Sequence, residues 1–202
     1  MPPHVLKFDR RSVAKAGSLV SDGGLIVYPT DTVYGLGCDP ANGRAVRRLA
    51  LAKGRDNKPI PVLCSSTSSA MELVEMNKRA ERLATKFWPG ALTIVAPLKR
   101  DVPFQIHQGT GTVGVRVPAL QLCVTLIENC GGWLTGTSAN RSGVPSARSA
   151  AEALEQLGNG VDLVLDGGRL EGIESTVVRV IGDSIQVLRA GPVGVADEAK
   201  VE

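Results

Sequence analysis

Residues 175–191 read STVVRVIGDSIQVLRAG, and this stretch decides what kind of sheet the chain builds. The runs 175–181 and 184–191 are rich in β-branched residues, and Gly182-Asp183 between them is a tight-turn signal. This pattern predicts an antiparallel hairpin at a sheet edge. Upstream, short apolar runs such as LIVYP (25–29) alternate with helical patterns. We therefore predict an α/β fold with a twisted, open, mixed parallel and antiparallel sheet flanked by helices.

The other predicted elements alternate along a chain of 202 residues. Helices are predicted at 12–20, 42–53, 67–87, 119–129 and 147–157; strands at 59–65, 91–98, 113–118, 133–138 and 161–168; and loops at 31–40 and 99–112. We expect residues 1–202 to form a single domain, with a core over about 12–192 and short flexible tails.

Composition excludes several functional classes. Hydrophobic residues make up 43% and charged residues 21%, which supports a packed core and not disorder. A net charge of +3 and 3% aromatic residues argue against a dedicated nucleic-acid module. With two histidines, a His-rich metal site is not expected, and we predict no metal-ligating residues. Apolar runs too short for a membrane span and no export signal lead us to expect a cytoplasmic protein without a membrane partner.

The common nucleotide-binding motifs do not explain this chain. GTGTVG (109–114) matches the pattern G-x-G-x-x-G, but a loop precedes it and a strand follows, the reverse of the dinucleotide-binding context. No P-loop motif and no G-x-S-x-G nucleophile elbow occur in the sequence. A nucleotide site would therefore have to be built in another way.

Four segments place polar groups where strands meet loops. YPTDTVYGLG (28–37) follows a buried strand, where α/β sheets bind ligands, although an ordinary capped turn would look similar. The basic segment KGRDNKP (53–59) suits a polyphosphate or merely complements a helix dipole. TSANRSGVPS (137–146) can cradle an anion or cap a helix. Arg116 interrupts an apolar strand, so it either faces solvent or receives a carboxylate; EST (174–176) completes the set. Together these segments predict a site for an anionic substrate, most simply a nucleotide.

The same segments resemble the YrdC-type threonylcarbamoyl-AMP synthase family. The matching stretches are YPTDTVYGLG (28–37), KGR and KP within 53–59, FWPGALTIV (87–95), TVGVRVP (112–118), TSANRSGVPS (137–146), ESTVV (174–178) and LRAG (188–191). They follow the family's order and spacing. Longer members of the family carry a C-terminal extension, and this chain resembles the single-domain form.

The resemblance implies a nucleotidyltransferase that makes L-threonylcarbamoyladenylate from L-threonine, bicarbonate or CO2, and ATP, and that releases pyrophosphate. The product would serve N6-threonylcarbamoyladenosine modification of tRNA, completed by a separate transferase. It also implies a YrdC-like sheet with a large concave cavity, and Mg²⁺ that bridges the ATP phosphates without a protein cage.

Site residues follow from the resemblance by motif position. It assigns L-threonine binding to Thr32, Arg116, Gly136 and Ser175; ATP binding to Arg55, Lys58, Thr112, Ser138, Ser146 and Arg189; and the catalytic signature to Lys53, Arg55, Ser138 and Asn140. Two departures stand out. The segment 55–59 is one residue shorter than the commoner form, and Leu63 occupies a position where many members have histidine.

Two other functions remain open at this stage. One is a double-stranded RNA or tRNA-binding module without catalysis, which would use the basic residues Arg44, Arg47, Arg48, Lys53, Arg55 and Lys58. The other is a carbamoyl-adenylate-handling domain like that of hydrogenase maturation proteins, which are much larger chains.

Basic side chains at a helix end are expected to be exposed, so alanine at Lys53 or Arg55 should leave the thermal unfolding of the protein almost unchanged.

Overall fold

The structure is a computed structural model that describes residues 3–54, 58–182 and 184–195. Its strands are β1 (His4–Lys7), β2 (Ile26–Pro29), β3 (Tyr34–Gly37), β4 (Val62–Cys64), β5 (Leu92–Pro97), β6 (Thr112–Arg116), β7 (Trp133–Thr135), β8 (Thr137–Ser138), β9 (Leu163–Asp166), β10 (Thr176–Ile181) and β11 (Ser184–Arg189). Its helices are α1 (Arg10–Ser21), α2 (Gly43–Lys53), α3 (Thr67–Leu73), α4 (Lys78–Phe87), α5 (Phe104–His107), α6 (Gln121–Asn129) and α7 (Ala150–Leu157).

The strands form two mixed sheets, one in the order β1-β9-β2-β3-β8 and one in the order β11-β10-β5-β6-β4-β7. Both contain parallel and antiparallel pairs, which confirms the predicted α/β class with mixed pairing. The division into two sheets differs from the single sheet that we expected. The hairpin prediction is confirmed, since β10 and β11 pair antiparallel and β11 lies at a sheet edge.

The segment 133–138 explains the division. We predicted one strand there, but β7 pairs with β4 in one sheet and β8 pairs with β3 in the other. At the crossing, the N–H of Thr135 donates to the carbonyl of Cys38 at 3.0 Å, and that of Gly136 donates to the carbonyl of Pro61 at 2.8 Å. Each sheet thus takes part of the backbone hydrogen bonding of a single short stretch, which ties the two sheets together.

Two other predicted elements are wrong in detail. The helix predicted at 67–87 is broken between α3 and α4, because Val74 is extended and forms a bridge to Leu98 next to β5. Asn77 then starts α4 by accepting a hydrogen bond from the N–H of Ala80. The loop predicted at 31–40 contains β3, whose pairing with β2 overrides its glycine content.

Alternation along the six-stranded sheet separates its two faces. Val113 and Val115 of β6 belong to the larger hydrophobic cluster, together with Ile94 of β5, Leu49 of α2 and Leu83 of α4. Because successive side chains of a strand point to opposite faces, the intervening residues of β5, β6 and β10 face away from this core. That opposite face carries the cavity described below. A smaller cluster packs α1 and α6 against the other sheet.

None of the helices that the structure describes is long and apolar enough to cross a membrane.

Close packing of α1 on α6 gives a prediction for Gly17. A Cβ there would lie 2.7 Å from Cβ and 2.8 Å from the carbonyl oxygen of Asn129. Gly17→Ala should therefore lower the free energy of unfolding by about 1–3 kcal/mol through overpacking. The matched control is Gly43→Ala in α2, where the nearest atom is 3.5 Å away in the Arg47 side chain and alanine should stabilise by up to about 1 kcal/mol. Equal effects of the two substitutions in urea unfolding would contradict this account.

Candidate active site

A cavity of about 490 Å³ lies on the face of the six-stranded sheet that is turned away from the larger core. It brings together eight of the residues assigned by sequence: Thr32, Lys58, Thr112, Arg116, Gly136, Ser138, Ser175 and Arg189. These residues come from strands and loops spread over most of the chain. Among the described lining residues the charged groups are Lys58, Arg116, Arg179, Arg189 and Glu174, which suits an anionic ligand.

Arg116 lies at the centre of one end of the cavity and is only 5% exposed. Its Nε donates to the carbonyl of Gly90 at 2.8 Å, its Nη1 to Oγ1 of Thr32 at 3.1 Å, and its Nη2 to Oδ1 of Asp31 at 2.6 Å. The alternatives left open by the sequence are therefore decided, because a carboxylate from the 28–37 segment pairs with the buried guanidinium. This contact joins the loop after β2 to β6.

Ser175 occupies the same end of the cavity. Its hydroxyl lies 2.8 Å from Oγ1 of Thr93 and accepts a hydrogen bond from Nη2 of Arg189 at 3.1 Å. Nε of Arg189 also donates to the carbonyl of Ser175, at 3.0 Å. Burial lowers the pKa of Arg189, and the nearby Arg116 adds to that shift, while Glu174 opposes it. Arginine remains protonated at neutral pH, so Arg189 brings a charge to the cavity wall.

Gly136 and Leu63 lie next to each other in the cavity wall. A Cβ at Gly136 would lie 2.5 Å from Cγ of Leu63, so this position has no room for a side chain beside leucine. Leu63 is buried and lines the cavity. An apolar side chain therefore occupies the place where the resemblance leads one to expect an imidazole.

Ser146 does not line the cavity itself but is linked to it through Glu174. Its hydroxyl donates to Oε1 of Glu174 at 2.5 Å. This bond is the main reason why the pKa of Glu174 lies below its ordinary value. A hydrogen bond from the backbone N–H of Glu174 to its own carboxylate and the positive charges of Arg189 and Arg148 also lower this pKa. The contact joins the 137–146 loop to the segment before β10.

Lys53 and Asn140 hold the 137–146 loop together and do not line the cavity. Lys53 is 3% exposed, and its Nζ donates to the carbonyls of Ser138 and Asn140 at 2.5 and 2.7 Å and to Oδ1 of Asn140 at 3.2 Å. Nδ2 of Asn140 donates to the carbonyls of Arg141 and Val144. The expectation of an exposed lysine is therefore wrong. Its ammonium group bonds to carbonyls that the αL end of α2 brings within reach.

Arg55, assigned to catalysis and ATP, lies outside the described residues. The basic cluster proposed for RNA is also smaller than the sequence indicates. Nη2 of Arg48 forms an ion pair with Oδ1 of Asp162 at 2.9 Å, and Lys53 is buried. Arg44 and Arg47 remain exposed on α2.

Sequence reasoning missed Thr93 and Arg179. Thr93 is a buried hydroxyl inside an apolar strand, and Arg179 interrupts the apolar strand β10. The signal that singled out Arg116, a charge within an apolar strand, applies equally to Arg179.

Comparison with known proteins identifies the family to which the chain belongs. A family model described as Telomere recombination, covering Sua5, YciO and YrdC, matches residues 18–191. The chain is 38% identical over 189 residues to the threonylcarbamoyl-AMP synthase of Pyrococcus abyssi, covering 92% of this chain and 56% of that one. The crystal structure of P. abyssi Sua5 complexed with L-threonine is similar with a TM-score of 0.87 at 35% identity, covering 94% of this chain and 56% of that chain. The crystal structure of Escherichia coli YciO is similar with a TM-score of 0.86 at 28% identity, and the match covers 96% of this chain and 97% of that chain.

The fold and the cavity define an α/β protein with a largely cationic cavity on one face of a mixed sheet. The chain belongs to the Sua5/YciO/YrdC family, as its motifs predicted. It spans about half the length of the P. abyssi synthase.

The contacts of Lys53 predict a structural effect of its substitution. Lys53→Met keeps the aliphatic stem but removes the donor to the buried carbonyl of Asn140. It also leaves the carbonyl of Ser138 with the backbone N–H of Asn140 as its remaining donor, at 3.0 Å. The free energy of unfolding should fall by about 1–3 kcal/mol. Lys15→Met, on the exposed face of α1, is the matched control and should change it by less than about 0.5 kcal/mol. Equal stabilities of the two variants in urea would show that the lysine does not hold the loop.

The Ser146–Glu174 bond predicts a pH effect. Because the folded-state pKa of Glu174 is lowered, its contribution to stability is present above the ordinary glutamate pKa and is lost as pH falls through the folded-state value. Ser146→Ala should raise the pKa of Glu174 towards 4.5, as measured by NMR titration of the side-chain carboxyl. Its stability deficit at neutral pH should disappear in acid. Ser142→Ala, on the exposed part of the same loop, should leave this pKa unchanged.

Proposed function

We propose that this chain is a threonylcarbamoyl-AMP synthase, which converts L-threonine, bicarbonate or CO2, and ATP into L-threonylcarbamoyladenylate and pyrophosphate. One observation carries the proposal: residues assigned by motif to L-threonine and residues assigned to ATP line the same cavity. The similarity to a synthase and to a structure complexed with L-threonine supports it. We also propose that residues 1–202 form one domain, in line with the near-complete coverage of E. coli YciO.

Arg116 is suited to bind the carboxylate of L-threonine. A guanidinium has five N–H donors, and three of them are engaged by Gly90, Thr32 and Asp31. One N–H therefore remains on each terminal nitrogen for donation to a carboxylate of the ligand. Thr32 and Ser175, with the side-chain-free Gly136, would complete the amino-acid end of the cavity.

The ATP end would use Lys58, Thr112, Ser138 and Arg189 from the cavity wall, with Arg55 and Ser146 as further contacts. Lys53 and Asn140 would act by positioning, since their hydrogen bonds shape the loop that carries Ser138. The catalytic set Lys53, Arg55, Ser138 and Asn140 thus divides into a cavity-lining hydroxyl, two supporting residues and a residue outside the described part.

Formation of the carbamoyl-adenylate requires the substrates to be positioned and the negative charge of the phosphates to be neutralised. The amine of L-threonine and bicarbonate give the carbamate and water; a carbamate oxygen then bonds to the α-phosphorus, and the bond from that phosphorus to the bridging oxygen breaks. Pyrophosphate leaves with the electron pair. Such a step is accelerated by cations and oriented donors more than by a proton-accepting side chain. The cationic lining of the cavity meets that need without a histidine base.

Mg²⁺ is implied by the use of ATP. Within the described residues, no group of three or more His, Cys, Asp or Glu side chains could hold a metal ion. Among the described residues that line the cavity, Glu174 is the one with a carboxylate. This donor set fits an ion held mainly by phosphate oxygens. When bound, Mg²⁺ would neutralise part of the triphosphate charge.

The product implies the biological setting. A carbamoyl-adenylate is a mixed anhydride, so a separate transferase would consume it to modify tRNA, in the cytoplasm. Weak RNA binding by the chain itself is compatible with Arg44 and Arg47 on α2. A non-catalytic RNA module is less well supported, because Lys53 and Arg48 are engaged in the protein and residues from the family-like stretches line one cavity.

The proposal predicts a substrate preference. The protein incubated with ATP, Mg²⁺, bicarbonate and L-threonine should form the adenylated carbamate, detected by mass spectrometry, with release of pyrophosphate. L-Valine, which replaces the hydroxyl by a methyl group, should be used at least about a hundredfold less well, because buried polar groups would lose their partner.

Equal turnover of L-threonine and L-valine would contradict the assignment of Thr32, Arg116 and Ser175 to a threonine site. Salt-sensitive binding of RNA without any pyrophosphate release would favour the RNA-binding module instead.

A further inference from the structure

Arg179 is a cation of the cavity wall to which neither the motifs nor the proposed mechanism gives a role. It lies in β10 and lines the cavity, and its Nε is buried without a hydrogen-bond partner among the described residues. An unsatisfied buried donor is costly, so native structures rarely keep one unless a ligand or water supplies the acceptor. The other two cavity arginines have such partners within the described residues: Arg116 pairs with Asp31, and Arg189 bonds to Ser175.

The neighbours of Arg179 leave space beside it and no negative charge. Across the sheet it pairs with Val95 of β5 and Gln186 of β11, and Val95 pairs in turn with Gly114 of β6. Neither cross-strand partner carries a charge, and Gly114 has no side chain to fill the floor of the cavity. A guanidinium in this setting is suited to an anion that enters from the cavity.

The sheet register places Arg179 away from the amino-acid end. Val177, two residues earlier on the same face of β10, pairs with Thr93, the partner of Ser175. Arg179 is therefore displaced by about 7 Å along the strand from that row, at roughly 3.3 Å per residue. The displacement is towards the row of Gly114 and the adjacent Thr112, which is assigned to ATP.

We propose that Arg179 binds the terminal phosphates of the nucleoside triphosphate, and hence the pyrophosphate that leaves. The inference rests on the proposed function for the identity of the nucleotide. The reacting α-phosphate has to lie next to the carbamate at the row of Arg116 and Ser175, so a cation further along the strand meets the phosphates beyond it. Arg179 makes and breaks no covalent bond; its charge stabilises the negative charge that develops on the leaving group.

Direct binding measurements test this role without requiring turnover. ATP, AMP and inorganic pyrophosphate are titrated by calorimetry, with Mg²⁺ present, into the wild-type chain and into Arg179→Gln, Arg179→Lys and Arg82→Gln. Arg82 is an exposed arginine of α4, so its variant removes the same charge outside the cavity. Thermal unfolding of each variant verifies that it is folded.

Arg179→Gln should weaken the binding of ATP and pyrophosphate by about tenfold to a hundredfold, the range for a hydrogen bond to a charged group, and leave AMP binding almost unchanged. Arg179→Lys should restore part of the loss, because a point charge cannot replace a planar fork. Arg82→Gln should behave like the wild type.

Three results would overturn the inference: equal losses for ATP and AMP, which would place Arg179 at the nucleoside or α-phosphate; unchanged ATP binding in a folded Arg179→Gln; or a wild-type chain that binds neither ATP nor pyrophosphate. The first two leave the proposed synthase activity standing. Conversely, selective loss of pyrophosphate binding in a chain that does not turn over L-threonine would support Arg179 and remove the proposed function.

Discussion

The Arg116 guanidinium is 5% exposed, and a charge this buried is tolerated only when its donors have acceptors. The acceptors come from two loops remote in sequence: Asp31 and Thr32 follow β2 in one sheet, and Gly90 precedes β5 in the other. A buried ion pair adds little net stability, but removing one partner costs about 3–5 kcal/mol. The requirement to satisfy Arg116 therefore holds the two loops in place, and with them the amino-acid end of the cavity.

Lys53 is a second buried cation whose donors need acceptors, and these acceptors lie in the 137–146 loop. Its ammonium group is enclosed by the carbonyls of Ser138 and Asn140, so the end of α2 and the 137–146 loop keep a fixed distance. The loop in turn reaches the segment before β10 through Ser146 and Glu174. Two buried cations and one hydroxyl–carboxylate contact thus organise loops whose regular structure is limited to the short strand β8. Of these groups, Arg116 and Glu174 also line the cavity, whereas Lys53 and Ser146 support it from behind the wall.

The sheet beneath these loops sets the order of the groups along the cavity. Alternation on β5, β6 and β10 sends Ile94, Val115 and Val178 into the core. The other face presents Thr93, Thr112, Arg116 and Arg179 together with Val95 and Val177. The polar and cationic groups on this face are therefore two residues apart along each strand, or a multiple of two, as from Arg116 to Thr112 on β6. The proposed function would use this spacing, with the carboxylate of one substrate near Arg116 and the phosphates of the other further along the strands.

The sequence alone determined what depends on neighbours along the chain. Turn residues and β-branched runs specified the hairpin of β10 and β11, apolar periodicity specified α1 and α2, and short motifs sufficed for the family. Tertiary structure decided what depends on residues far apart. Whether Arg116 meets solvent or Asp31, 85 positions away, and whether Lys53 is exposed or enclosed by Asn140, 87 positions away, has no local signature. The crossing at Gly136 is decided in the same way, because a backbone that can pair with either sheet pairs with whichever strand packing places beside it.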